Sequence, residues 1–159
     1  MAIEAPISKH KKTNLKIYIA VCIIFAFVFA YDGYLSRYKW SHRRSFYEKH
    51  VKDGRGDETM IFNQITPIVL AAAAIGLAAR LRALKDKKLL ADENGLIISD
   101  KEKIAYDSIQ KIDKTHFESK GFFVVTYRGN NEREVNRKLN DRTYDNLQAV
   151  LDDLVAKIT

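Results

Sequence analysis

The side chains that most often carry chemistry are thinly spread along this chain, and their spacing decides what they can do. His42 and His50 lie eight residues apart, which on a helix leaves them two turns from one another, whereas helix-borne metal pairs are three or four apart. His116 with Glu118, and Tyr106 with Asp107, are the two neighbouring pairs that could exchange a proton with a substrate. Both read instead as solvated loop or strand residues. Ser, His and Asp are too scattered to form a triad, and there is no glycine-rich phosphate loop. The sequence therefore predicts a non-enzymatic protein with no catalytic, cofactor or metal site.

Two more groups are placed by the apolar run around them. Cys22 is the only cysteine, so it can form neither an intrachain disulfide nor a cysteine-based metal site, and it reads as a small apolar side chain in lipid. Asp32 ends the same run. Beside Gly33 and an aromatic belt of Tyr31, Tyr34, Tyr38 and Trp40 it reads as a carboxylate at a wet interface.

The elements that position these residues fall into two unlike halves. Residues 15–35 are interrupted only by Lys16 and Asp32, and about 20 apolar residues cross a ~30 Å hydrocarbon core, so this run is expected to be a first transmembrane helix. Lys9, Lys11, Lys12 and Lys16 resemble the basic start of a signal peptide, but no small-residue cleavage site follows. A second span is expected over 61–80, with Pro67 tolerated in its first turn. Its alternative is a buried helix. Arg80, Arg82, Lys85, Lys87 and Lys88 follow at once, as where a span stops at headgroups, and are the lipid-headgroup candidates. Ala72 and Gly76, four apart among further alanines, are the helix-packing candidates, facing the first span, a second copy or another membrane subunit.

Residues 1–87 hold 15 Lys+Arg against 7 Asp+Glu, residues 88–159 hold 12 against 13, and so the whole-chain charge of +7 belongs to the first half. A nucleic-acid-binding module would carry that charge on its folded face, so no nucleic-acid partner is expected. Four cations at or before the start of the first span (Lys9, Lys11, Lys12 and Lys16) and five at or after the end of the second outnumber the seven in the loop. That count predicts cytoplasmic N- and C-termini, and the expected location is the inner (cytoplasmic) membrane. The division that results is a basic tail (1–14), the first span, a basic aromatic loop partly helical (36–60), the second span, a basic linker (81–87) and a domain over 88–159.

In that domain Leu89-Leu90-Ala91 runs through Asp92-Glu93-Asn94-Gly95 to Leu96-Ile97-Ile98, and Asn-Gly accepts the positive φ of a tight hairpin. Strands are expected at 103–106 and 109–115 with a bulge or helical turn near Ser108, a strand at 122–127 that is central or covered by the helix, and an edge strand at 132–139. Tyr144, Leu147, Leu151, Leu154, Val155 and Ile158 mark one helical face, with Asn140 or Asp141 as N-cap. The predicted class is a membrane α-hairpin plus α+β: a small antiparallel β roll closed by one C-terminal helix.

The order of strands and helix, with the runs Ala91-Asp92-Glu93-Asn94-Gly95-Leu96-Ile97 and Ile104-Ala105-Tyr106-Asp107-Ser108-Ile109-Gln110-Lys111-Ile112, resembles the pleckstrin-homology-like domains of small bacterial membrane proteins. The resemblance implies a PH-like fold in a membrane setting and transfers no catalytic residue. Eukaryotic relatives of that fold bind phosphoinositides through basic side chains around the first hairpin; here that loop is acidic and would repel phosphate. Expected function is thus a membrane-anchored adaptor whose module binds another protein at the cytoplasmic face. The alternatives are an accessory subunit of a larger membrane complex, held through its spans and open to homo-oligomers, and an anionic-lipid sensor.

Overall fold

A computed structural model of the chain describes residues 2–99, 102–129 and 133–158. In chain order its elements are strand β1 (Ile3–Pro6), helices α1 (Lys9–Ala30) and α2 (Arg44–His50), the two-residue strands β2 (Val51–Lys52) and β3 (Arg55–Gly56), helix α3 (Glu58–Ala83), strands β4 (Lys88–Ala91), β5 (Gly95–Ser99), β6 (Glu102–Ala105) and β7 (Ile109–Asp113), the single helical turn α4 (Phe117–Lys120), strands β8 (Phe122–Arg128) and β9 (Glu134–Asn140), and helix α5 (Leu147–Ile158). They form two compact units, Met1–Thr13 with Ala83–Thr159, and Asn14–Arg82. The second unit is an insertion in the chain of the first.

The first unit holds a four-stranded sheet of order β1-β4-β5-β6 and a three-stranded sheet of order β7-β8-β9, both antiparallel. The expected first hairpin is present, with Leu90 opposite Ile97 and Ala91 opposite Leu96, but neither Asn94 nor Gly95 takes the positive φ expected of the turn. Its turn is fixed by Asp92, whose carboxylate accepts from the amides of Asn94 (2.7 Å) and Gly95 (2.8 Å). A 3-10 turn at Tyr106–Ser108 and a register shift between Ile109 and Lys111 account for the three-residue spacing of Ile109 and Ile112. Strand β8 is central and β9 lies at the edge, as the unequal apolar content of the two runs predicts. Their buried face, with Phe123 and Val125 fully enclosed, joins Leu89, Leu96, Ile104 and the α5 residues Leu147, Val150, Leu151 and Leu154 in one core.

Two expectations for this unit are corrected. Residues 1–14 are not simply a tail: Ile3–Pro6 pairs with β4, Ala5 opposite Leu89, and Ala5 is completely buried in the core. Nor does the last helix start after Asn140 or Asp141. Asn140 instead accepts from the amides of Arg142, Thr143 and Tyr144 in a turn, Tyr144 bridges Ile7, and α5 begins only after Asn146, whose φ is 61°.

In the second unit α1 and α3 are each long and apolar enough to cross a membrane. Both start before the predicted spans, because Lys9–Asn14 and Glu58–Met60 contain no helix breaker and continue the turn, and α1 passes into a π-helical turn at Tyr31–Leu35. Their less exposed positions recur at alternating intervals of three and four: Leu15, Ile19, Cys22, Ala26, Phe29 and Gly33 on one, Met60, Asn63, Pro67, Leu70, Ala74 and Leu77 on the other. That is the 3.5-residue seam of paired helices. Cys22 is thus half-buried on the seam side. Outside the seam Phe27 and Ile75 are 73% and 70% exposed.

Pro67 lies well inside α3, because the helix starts at Glu58 with Asp57 accepting from the Met60 amide (3.0 Å). Having no N–H, it leaves the Asn63 carbonyl without its helical donor. There Gly33 makes a close approach: a Cβ on it would stand 2.5 Å from the Asn63 carbonyl oxygen. The Tyr34 hydroxyl donates to the Gln64 carbonyl (2.7 Å) and the Gln64 amide donates to the Gly33 carbonyl (3.2 Å). The seam is therefore locked by polar contacts at its loop end.

Candidate functional site

A concavity of the first unit lies beside α5. It has a volume of about 670 Å³, an apolar floor of Phe117, Leu151 and Val155, and a rim carrying Lys114, Glu118 and Asp152. Local sequence explains each wall. Asp113 ends β7 by accepting from the Thr115 amide (3.0 Å), and hydrogen bonding to Thr115 holds its carboxyl below the ordinary range. Phe117 then opens α4, which Gly121 terminates in the left-handed region at φ 67°, and its ring meets Phe123 edge-on at 5.8 Å. On the opposite wall, Leu151 and Val155 are four apart and so lie on one side of α5. Strand β7 is an outer strand of its sheet among the described residues.

Helix α5 is fastened at both ends. At its C-terminal end the Lys157 ammonium donates to the Asp92 carbonyl (2.8 Å), pairs with Asp153 (2.9 Å) and sits over the Tyr106 ring. The bond to Asp153, ahead of the smaller effect of Tyr106, raises the Lys157 pKa. Tyr106 donates its hydroxyl to the same Asp92 carbonyl (2.8 Å), and burial pushes that phenol upward. Just before α5, the Asp145 amide donates to the Pro6 carbonyl and its carboxylate accepts from the Lys9 amide (3.0 Å). One wall of the groove is therefore a helix held by the first hairpin and by the N-terminal segment.

Tyr106, His116, His50 and Asp32 make structural contacts, whereas among the described residues the side chains of Asp107, Glu118 and His42 do not. Tyr106 is turned to the Asp92 carbonyl while Asp107 is exposed. His116 packs on Phe122 at 5.4 Å, and Glu118 is on the groove rim. His50 pairs with Asp57 (2.8 Å), and His42 is exposed. Among the described residues no three His, Cys, Asp or Glu side chains gather as metal ligands. Asp32 is gripped by Arg43 through two 2.8 Å bonds, inside a widened π-helical turn, Tyr31–Leu35.

Ala72 and Gly76 are exposed, away from the seam through Asn63, Pro67 and Ala74, and nothing lies within 4 Å of a Cβ built on Gly76. They do not pack against the first span. Arg80 and Arg82 are exposed in the last turn of α3, and Lys85, Lys87 and Lys88 are exposed in the other unit.

Sequence reasoning placed Leu151 and Val155 on the apolar face of the last helix and Glu118 beside His116, but it did not bring them together with Phe117 as one groove. The available signal was Phe117, a lone aromatic between polar neighbours just before a helix-ending glycine. No protein-family model, curated protein or solved structure matches the chain.

Proposed function

We propose that this chain is a non-enzymatic membrane adaptor: two spans anchor a pleckstrin-homology-like module at the cytoplasmic face of the inner membrane, and the module binds another protein through the groove beside α5. The observation that carries the reading is the groove itself, an apolar floor rimmed by charges of both signs. Such a lining suits an amphipathic peptide segment better than a phosphate group. The seven strands followed by a helix support the PH-like assignment. The exposed apolar shafts of α1 and α3 support the anchor, because soluble proteins seldom expose continuous apolar surface of this extent. Pairing of β1 with β4 supports an even number of crossings, since it puts strands that precede and follow both apolar helices in one sheet.

A second reading, an accessory subunit recruited within the bilayer, is favoured by the open face at Gly76. Purification of the full chain in mild detergent separates the two. Val155→Asp should abolish recovery of the partner while Gly76→Leu leaves it intact. The reverse pattern would assign recruitment to the spans.

A further inference from the structure

We propose that the fold builds an anionic-phospholipid headgroup surface from three stretches of sequence, Lys9–Lys12, Lys85–Lys88 and Arg142; this rests on the reading that α1 and α3 cross a bilayer. The two lysine runs are separated by more than 70 residues. Strand pairing brings them together: Pro6 is opposite Lys88, and the Ile7 amide donates to the Lys87 carbonyl (3.3 Å). Arg142 joins them from a distant turn. Ser8 donates its amide to the Thr143 carbonyl (2.9 Å) and its hydroxyl to the Arg142 carbonyl (2.6 Å). Beside these bonds a cleft of about 460 Å³ is lined by His10, Asp141 and Arg142.

The charge balance favours an anionic ligand. The same stretches of sequence that supply Lys9, Lys11, Lys12, Lys85, Lys87, Lys88 and Arg142 also carry four carboxylates, Glu4, Asp86, Asp141 and Asp145. Two of the four are engaged locally, Glu4 with Lys88 (2.5 Å) and Asp145 with the Lys9 amide. The ammonium groups of Lys9, Lys11, Lys12, Lys85 and Lys87 and the Arg142 guanidinium form no ion pair among the described residues. Lys9–Lys12 are the first turn of α1 and Lys85–Lys88 follow α3 directly, so in a bilayer both runs leave the hydrocarbon at the headgroup layer, where anionic lipid concentrates cations. Arg142 distinguishes this surface from ordinary span-flanking charge. It is 54 residues beyond the last flanking lysine and reaches the surface only through the fold.

The test uses the full chain in membranes and in mild detergent. Resistance to carbonate extraction establishes the spanning arrangement first, independently of lipid choice. Native mass spectrometry then compares retained phosphatidylglycerol with phosphatidylcholine. Wild type should prefer phosphatidylglycerol, Arg142→Gln should lower that preference about fivefold, the value of one interfacial cation, and Arg142→Lys should preserve it. Joint replacement of Lys9, Lys11 and Lys12 by Gln should lower it further, and Lys111→Gln, an exposed charge on β7, should not alter it. An extraction-resistant protein that shows no phosphatidylglycerol preference, or whose preference is untouched by Arg142→Gln, would overturn the proposal.

Discussion

At the scale of single residues, Asp92 does the work that sequence reasoning credits to Asn94-Gly95. The dipeptide marks the turn, but the carboxylate of Asp92 closes it, and its backbone carbonyl receives both Tyr106 and Lys157. Hydrogen bonds from the Asn94 amide, then Gly95, with nearby Lys103 and Lys157, hold the Asp92 pKa below its ordinary value. A folded-state pKa below the unfolded one adds stability above the unfolded value, near 3.9 for Asp, and that stability is lost as pH falls through the folded value. Asp92→Asn should therefore lower the thermal midpoint of the domain at neutral pH, and the gap from wild type should close as pH is lowered below about 4. A gap independent of pH would show that the charge has no part in holding the turn.

Elements were legible where turn residues or a sustained apolar period marked them and illegible where neither did. Strands β4 to β9 could be read because turn residues punctuate runs with a buried face, and the 3–4 spacing of Leu147, Leu151, Leu154 and Ile158 announced α5. Its start was misjudged because Tyr144 fits the helical face by spacing while in fact bridging Ile7. Strand β1 was invisible for a different reason. Four residues offer only Ile3 and Ala5 to the core, a cluster of lysines follows, and the pairing partner lies beyond both apolar helices. The alternation is nonetheless strict: Ala5 is wholly buried while the Glu4 side chain is 53% exposed and paired with Lys88. Ala5→Asp should destabilise the domain by about 3 kcal/mol or more, since a buried carboxylate would lack a partner. Glu4→Gln should cost under about 1 kcal/mol, as an exposed ion pair does. Denaturant unfolding of the full chain, followed by tyrosine signals of the domain, checks both.

At the scale of the whole molecule the notable fact is the insertion. The domain is discontinuous, its first strand made before both apolar helices and its other strands after them. Sequence reading found the two apolar runs and the domain but treated them as beads on a string, because hydropathy reports each segment separately and carries no record of long-range strand pairing. The candidate groove was hidden likewise: its walls, Phe117 on one side and Leu151 with Val155 on the other, are brought together only by packing of α5 on the core. With β1 in the sheet, the residues before α1 and after α3 must share one face of any membrane the helices cross. The most direct test is labelling of single cysteines by an impermeant maleimide in sealed vesicles, in a Cys22→Ala background, at Glu4, Lys49 and Asp152. The expected result is that Glu4→Cys and Asp152→Cys react from one face only and Lys49→Cys from the other. Reaction of all three from the same face, or of Glu4→Cys and Asp152→Cys from opposite faces, would contradict an anchored module completed by its N-terminal strand.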